Sequence, residues 1–175
     1  SGIYMTKGDN NTIRNNVLDD IGYCGIFFEG LNDIIEHNYI ENVCQLGRDG
    51  GAIYTHQTVT GSKIRNNIVI NHNVWFKGVN GIYIDGKTYG VTVSGNTSIG
   101  MSTGITCNNL EDCIIEDHTF YNNIYAQAGI AEFTEGINGG SNVFRRNIMF
   151  SDSIYPVRTL DVACYTVGDM HITYD

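Results

Sequence analysis

One short pattern returns along the whole chain: Gly2-Ile3-Tyr4-Met5, Gly25-Ile26-Phe27-Phe28, Ala52-Ile53-Tyr54-Thr55, Gly81-Ile82-Tyr83-Ile84, Gly104-Ile105-Thr106-Cys107 and Gly129-Ile130-Ala131-Glu132. Their isoleucines lie 23, 27, 29, 23 and 25 residues apart, and a degenerate seventh copy begins at Ser153-Ile154-Tyr155. Between them runs a second series: Ile13-Arg14-Asn15-Asn16, Ile35-Glu36-His37-Asn38, Ile64-Arg65-Asn66-Asn67, Val93-Ser94-Gly95-Asn96, Ile115-Glu116-Asp117-His118, Phe144-Arg145-Arg146-Asn147 and Ile172-Thr173-Tyr174-Asp175. A unit this short cannot bury its own apolar face. It must stack on its neighbours, which makes the chain a solenoid.

Composition decides which solenoid. The 175 residues include 20 asparagines, 21 glycines, 23 isoleucines and one proline. Asparagine and glycine are poor helix formers, whereas isoleucine and tyrosine suit pleated surfaces. With no leucine-rich consensus and no helical spacing, the period predicts an all-β right-handed parallel β-helix of about seven coils, stacked at ~4.8 Å. The single domain spans residues 1–175. The chain starts and stops inside strand patterns with no visible cap, so we expect a piece of a longer chain, or ends covered by further segments or by other copies.

The stacked register makes further expectations specific. Asn16, Asn38, Asn67, Asn96 and Asn147 should form a ladder of side-chain amides at one turn, with His118 and Asp175 as its exceptions. Arg14, Arg65 and Arg145 alternate with Glu36 and Glu116 in the second strand series and should pair across coils. Of the five cysteines, Cys24, Cys44, Cys107, Cys113 and Cys164, none forms a CxxC pair. Burial as small apolar residues is the preferred reading, with a Cys24–Cys44 bridge as its competitor. No metal-ligand spacing is present.

A net charge of −9 argues against nucleic acid or an anionic membrane surface as a partner, and no stretch approaches the ~20 apolar residues that cross a bilayer.

Side chains alternate along a strand, so inward isoleucines at 3, 26, 53, 82, 105 and 130 define two outward columns. The first reads Tyr4, Phe27, Tyr54, Tyr83, Thr106, Ala131, an aromatic strip suited to packing on sugar rings. The second reads Thr6, Glu29, His56, Asp85, Asn108, Phe133 and sets three ionisable groups on successive coils. A glycoside hydrolase needs one protonated and one ionised carboxyl group. Asp85 is the candidate for the ionised group, Glu29 for the acid, and His56 for their hydrogen-bonding or proton-transfer partner; a solvated polar ladder is the plain alternative. Asp49, before an expected Gly50-Gly51 turn, is a further candidate. So is Glu132, which the register points inward unless a bulge at Ala131 turns it and Glu135 outward. Lys87 is a candidate substrate contact, and Lys87 and Lys77 are candidates for the base or charge neutraliser of a lyase.

The repeats resemble the right-handed parallel β-helix superfamily of pectate-lyase-like carbohydrate-active proteins. The stretch Asp49-Gly50-Gly51-Ala52-Ile53-Tyr54-Thr55-His56, followed by Gly81-Ile82-Tyr83-Ile84-Asp85-Gly86, is similar to paired segments in bacterial β-helix glycoside hydrolases. Neither the DPH-type motif of mannuronan epimerases nor the paired aspartates and Gly-His-Gly of polygalacturonases is present. The resemblance implies a polysaccharide or oligosaccharide partner, an extracellular or periplasmic location and hydrolysis without a cofactor, with Phe27, Tyr54 and Tyr83 as sugar contacts. A polysaccharide lyase using Ca²⁺, and a noncatalytic module of a phage tail spike or an adhesin, are the alternatives.

Overall fold

In the computed structural model, residues 1–56, 60–72, 78–86, 88–107, 110–121 and 143–150 are described. Every strand pairing among them is parallel. Successive coils stack their strands into three sheets of five, six and six described strands, and a small two-stranded sheet pairs Thr88–Tyr89 with Leu110–Glu111. The first sheet is built from Ile3–Met5, Ile26–Phe28, Gly50–His56, Val79–Asp85 and Thr103–Cys107. The second and third sheets hold the Ile13 and Val17 strand series, respectively. No helix among the described residues is long and apolar enough to cross a membrane. The chain is an all-β right-handed parallel β-helix solenoid.

The expected register holds. Ile3, Ile26, Ile53, Ile82 and Ile105 are vertical partners, and the last four are buried in one continuous core with Ile35, Ile64 and Val93 of the second sheet. Cys44, Cys107 and Cys113 lie in that core, while Cys24 belongs to a smaller cluster on the outer face; all four are thiols here. Cys164, Ile130 and the seventh copy lie outside the described residues.

The asparagine richness has a backbone cause beyond the amide ladder. Asn15, His37, Asn66, Gly95, Asp117 and Arg146 occupy one stacked corner, and each has φ between 54° and 64°. Asn10, Asn32, Gly61, Gly90 and Asp112 form a second such column, and Asp20, Asn42 and Gly100 a third. A coil with three faces needs sharp corners, and a left-handed residue supplies one. Glycine, asparagine and aspartate enter that region at least cost. At the exposed His37 corner we expect His37→Asn to be neutral or slightly stabilising and His37→Val to cost about 1 kcal/mol, read from urea midpoints.

Beside this corner the ladder forms as expected. The amide of Asn38 donates to Asn67 Oδ1 at 3.0 Å and that of Asn67 to Asn96 Oδ1 at 2.9 Å. His118 takes the next place. Its Nδ1 accepts from the Asn96 backbone N–H at 3.3 Å, which leaves Nε2–H to donate to the Val93 carbonyl at 3.0 Å, and its own N–H donates to Asn147 Oδ1. Burial pushes the His118 pKa down to about 4, because a charged imidazole is costly there. The unfolded chain therefore binds this proton more readily than the folded one. The stability this group supplies is complete above pH ~6.5 and is lost as pH falls towards 4, an effect of up to about 3 kcal/mol. His118→Asn, which extends the amide ladder, should flatten that part of the stability–pH curve in urea titrations at pH 7 and pH 4.

Two of the expected cross-coil ion pairs form, with Arg65 Nε 2.8 Å from Glu36 Oε2 and Arg145 Nε 2.7 Å from Glu116 Oε2, whereas exposed Arg14 makes none among the described residues. Arg146 adds contacts to Glu116 and to Asp117. Asp175 lies outside the described residues.

Candidate functional site

Along the outer face of the first sheet, Tyr4, Phe27, Tyr54 and Tyr83 stand one above another, and Thr106 follows. Neighbouring coils place the rings at contact distance. Tyr4 stacks on Phe27 with centroids 4.8 Å apart, Tyr54 stacks on Tyr83 at 4.9 Å, and Phe27 meets Tyr54 edge-on at 5.3 Å. The column therefore closes on itself. Phe27, Tyr54 and Tyr83 are 8–9% exposed, while Tyr4, at the end of the column, is 67% exposed. Sequence reasoning treated these rings as an open platform. The coil spacing, close to the stacking distance of aromatic rings, leaves them mainly their edges and hydroxyl groups to present.

The ionisable column keeps its places on this face. Asp85 is the direct strand partner of His56, and the pairing of Phe28 with Thr55 continues to set Glu29 beside His56. His56 Nδ1 lies 4.0 Å from Glu29 Oε1, and both side chains are about one-third exposed. Asp85 is held more firmly. Its Oδ2 accepts the Tyr54 hydroxyl at 3.0 Å and its Oδ1 accepts the Gly86 N–H at 2.8 Å. Tyr54 lies on the coil next to Asp85, two residues before His56 on the same strand, so this bond turns the Asp85 carboxylate towards the aromatic column. Burial first, and then the hydrogen bond to Asp85, push the Tyr54 pKa far above that of an ordinary phenol. Tyr54 remains a donor across the whole working pH range. Sequence reasoning missed this role, although its signal was present: a hydroxyl in the column next to the carboxylates, one coil away.

Beside Glu29 and His56 lies an open groove of about 290 Å³, bounded by residues 6–9 and by Gly30 and Leu31. Lys7 brings a cation to its rim and Asp9 a carboxylate, whose Oδ1 accepts the Leu31 N–H at 3.0 Å.

Asp49 is placed elsewhere. Gly50 and Gly51, read from sequence as a turn, instead open the seven-residue strand Gly50–His56, with Asp49 before it in a left-handed conformation. At a rise of ~3.3 Å per residue, that strand separates Asp49 from His56 by roughly 20 Å. The Asp49 carbonyl accepts the Tyr23 hydroxyl at 2.9 Å, and its side chain is exposed. The structure thus brings Glu29, His56 and Asp85 together and leaves Asp49 at the opposite edge of the sheet. Glu132, Glu135, Lys77 and Lys87 lie outside the described residues. Among the described residues, no group of three or more His, Cys, Asp or Glu side chains is arranged to hold a metal ion.

A family model described as a right-handed beta helix region matches residues 1–169 of the 175. No curated protein and no solved structure matches the chain. Parallel sheets throughout, a stacked isoleucine core and a family match over almost the entire length lead to one assignment: this chain belongs to the right-handed β-helix family.

Proposed function

We propose that this β-helix protein is a glycoside hydrolase acting on a polysaccharide, with Glu29 and Asp85 as its carboxylate pair and His56 between them. The observation that supports it is the vertical order of these three groups on one sheet face, two of which, Glu29 and His56, line an open groove. Both Asp85 oxygens are engaged as acceptors, which suits the ionised member of the pair. Glu29, at the groove beside His56, is then the acid that protonates the leaving oxygen, and His56 returns its proton between turnovers.

Two coil steps set the Glu29 and Asp85 backbones ~10 Å apart, nearer the ~6.5–9.5 Å carboxyl gap of an inverting enzyme, which leaves room for a water, than the ~5 Å gap of a retaining one. The test is a panel of neutral and weakly charged polysaccharides assayed for new reducing ends, with product anomers read by NMR. Reducing ends formed with inverted configuration support this reading, and unsaturated products absorbing in the ultraviolet replace it with a lyase. The closure of the aromatic column favours one other reading, a noncatalytic structural β-helix module, for which the panel would show no bond cleavage.

A further inference from the structure

We propose that Cys24 and Cys44 form a disulfide that staples the second coil to the turn leading into the third when the chain folds in an oxidising medium. The turn is already fastened there by three backbone hydrogen bonds: Cys44 N–H to the Tyr23 carbonyl at 2.8 Å, Gln45 N–H to that of Ile21 at 3.1 Å and Leu46 N–H to that of Gly22 at 2.9 Å. These bonds hold Cys44 against the backbone of Tyr23, the residue that precedes Cys24.

Gly50 is the second observation. A Cβ built there would stand 2.9 Å from Cys44 Sγ, 3.2 Å from Cys24 Sγ and 2.9 Å from the Tyr23 ring. Both sulfurs therefore face one small space that only glycine leaves open, and they are no more than about 6 Å apart, a gap that rotation of the two thiols closes. The backbone of Gly50 is not in the left-handed region, so corner geometry does not account for glycine here.

The balance of the reaction is simple. Two thiols lose two protons and form one S–S bond, and two electrons reduce a low-molecular-weight disulfide, such as oxidised glutathione, to two thiols through a mixed disulfide. Both cysteines are fully buried, and burial raises both thiol pKa values, that of Cys44 to about 12. Exchange in the folded chain is accordingly slow. The bond forms while the coil is still open, and the closed fold then protects it.

The test is to refold the full chain from urea in a glutathione redox buffer, alkylate it under denaturing conditions and map the peptides by mass spectrometry. We expect a linked Cys24–Cys44 peptide and a melting temperature about 5–10 °C above that of the reduced chain, the difference vanishing in the Cys24→Ala/Cys44→Ala variant. Alkylation of both cysteines after oxidising refolding, or pairing of Cys24 with another cysteine, would overturn the proposal. The peptide map is read on the unsubstituted chain, so it decides even if the double variant does not fold. It is also independent of any glycan activity.

Discussion

Asp85→Asn should lower glycan cleavage by about 10³-fold while leaving the melting temperature nearly unchanged. Asparagine keeps an oxygen to accept the Tyr54 hydroxyl, so the outer face stays packed, but it cannot act as the charged group that directs a water or stabilises a positively charged sugar. Glu29→Gln should produce a comparable loss for the opposite reason, since the amide has no acidic proton to give. The two changes probe the same pair, so combining them should cost little more than either alone. Initial rates of reducing-end release, measured beside thermal melts, separate a chemical loss from a folding loss. Undiminished cleavage by Asp85→Asn would remove this column from the chemistry.

Asn67→Ala should be the costliest small change at the corner ladder, about 3 kcal/mol. Its amide donates to Asn96 Oδ1 and to the Ile35 carbonyl at 2.9 Å each, and its carbonyl oxygen accepts both the backbone N–H and the amide of Asn38. The site is fully buried, so truncation leaves donors and acceptors on the two neighbouring coils without water to replace the lost partner. Asn16→Ala is the internal control. Asn16 stands at the end of the described ladder and is only partly buried, with donations to Arg14 and Asn38, and its loss should cost under about 1 kcal/mol. Urea unfolding of the two variants should give clearly different midpoints; equal midpoints would mean that the ladder amides do not cooperate through the stack.

Part of the site was readable before any coordinates. Each copy of the repeat carries an isoleucine that must face inward, so counting outward from it ranks Glu29, His56 and Asp85 on one face, where the structure has them. Asp49 was not readable in this way. It precedes the anchored part of its repeat, and two adjacent glycines look alike whether they make a turn or begin a strand. The corner column hid for a related reason. His37 and Arg146 share a left-handed backbone with asparagine, aspartate and glycine but have no side-chain chemistry in common with them. The constraint there acts on φ rather than on the side chain.

Sequence alone therefore determined the winding, the inward core, the amide ladder and the order of the outward columns, because stacking copies a one-dimensional period into vertical neighbours. Only the tertiary structure decided which groups touch within those columns. Whether a ring faces solvent or its neighbour, whether Asp85 turns to Tyr54, and whether His118 stays neutral depend on packing around each side chain. Contacts of that kind are set by a few ångströms of space between coils, which the period of the chain does not encode.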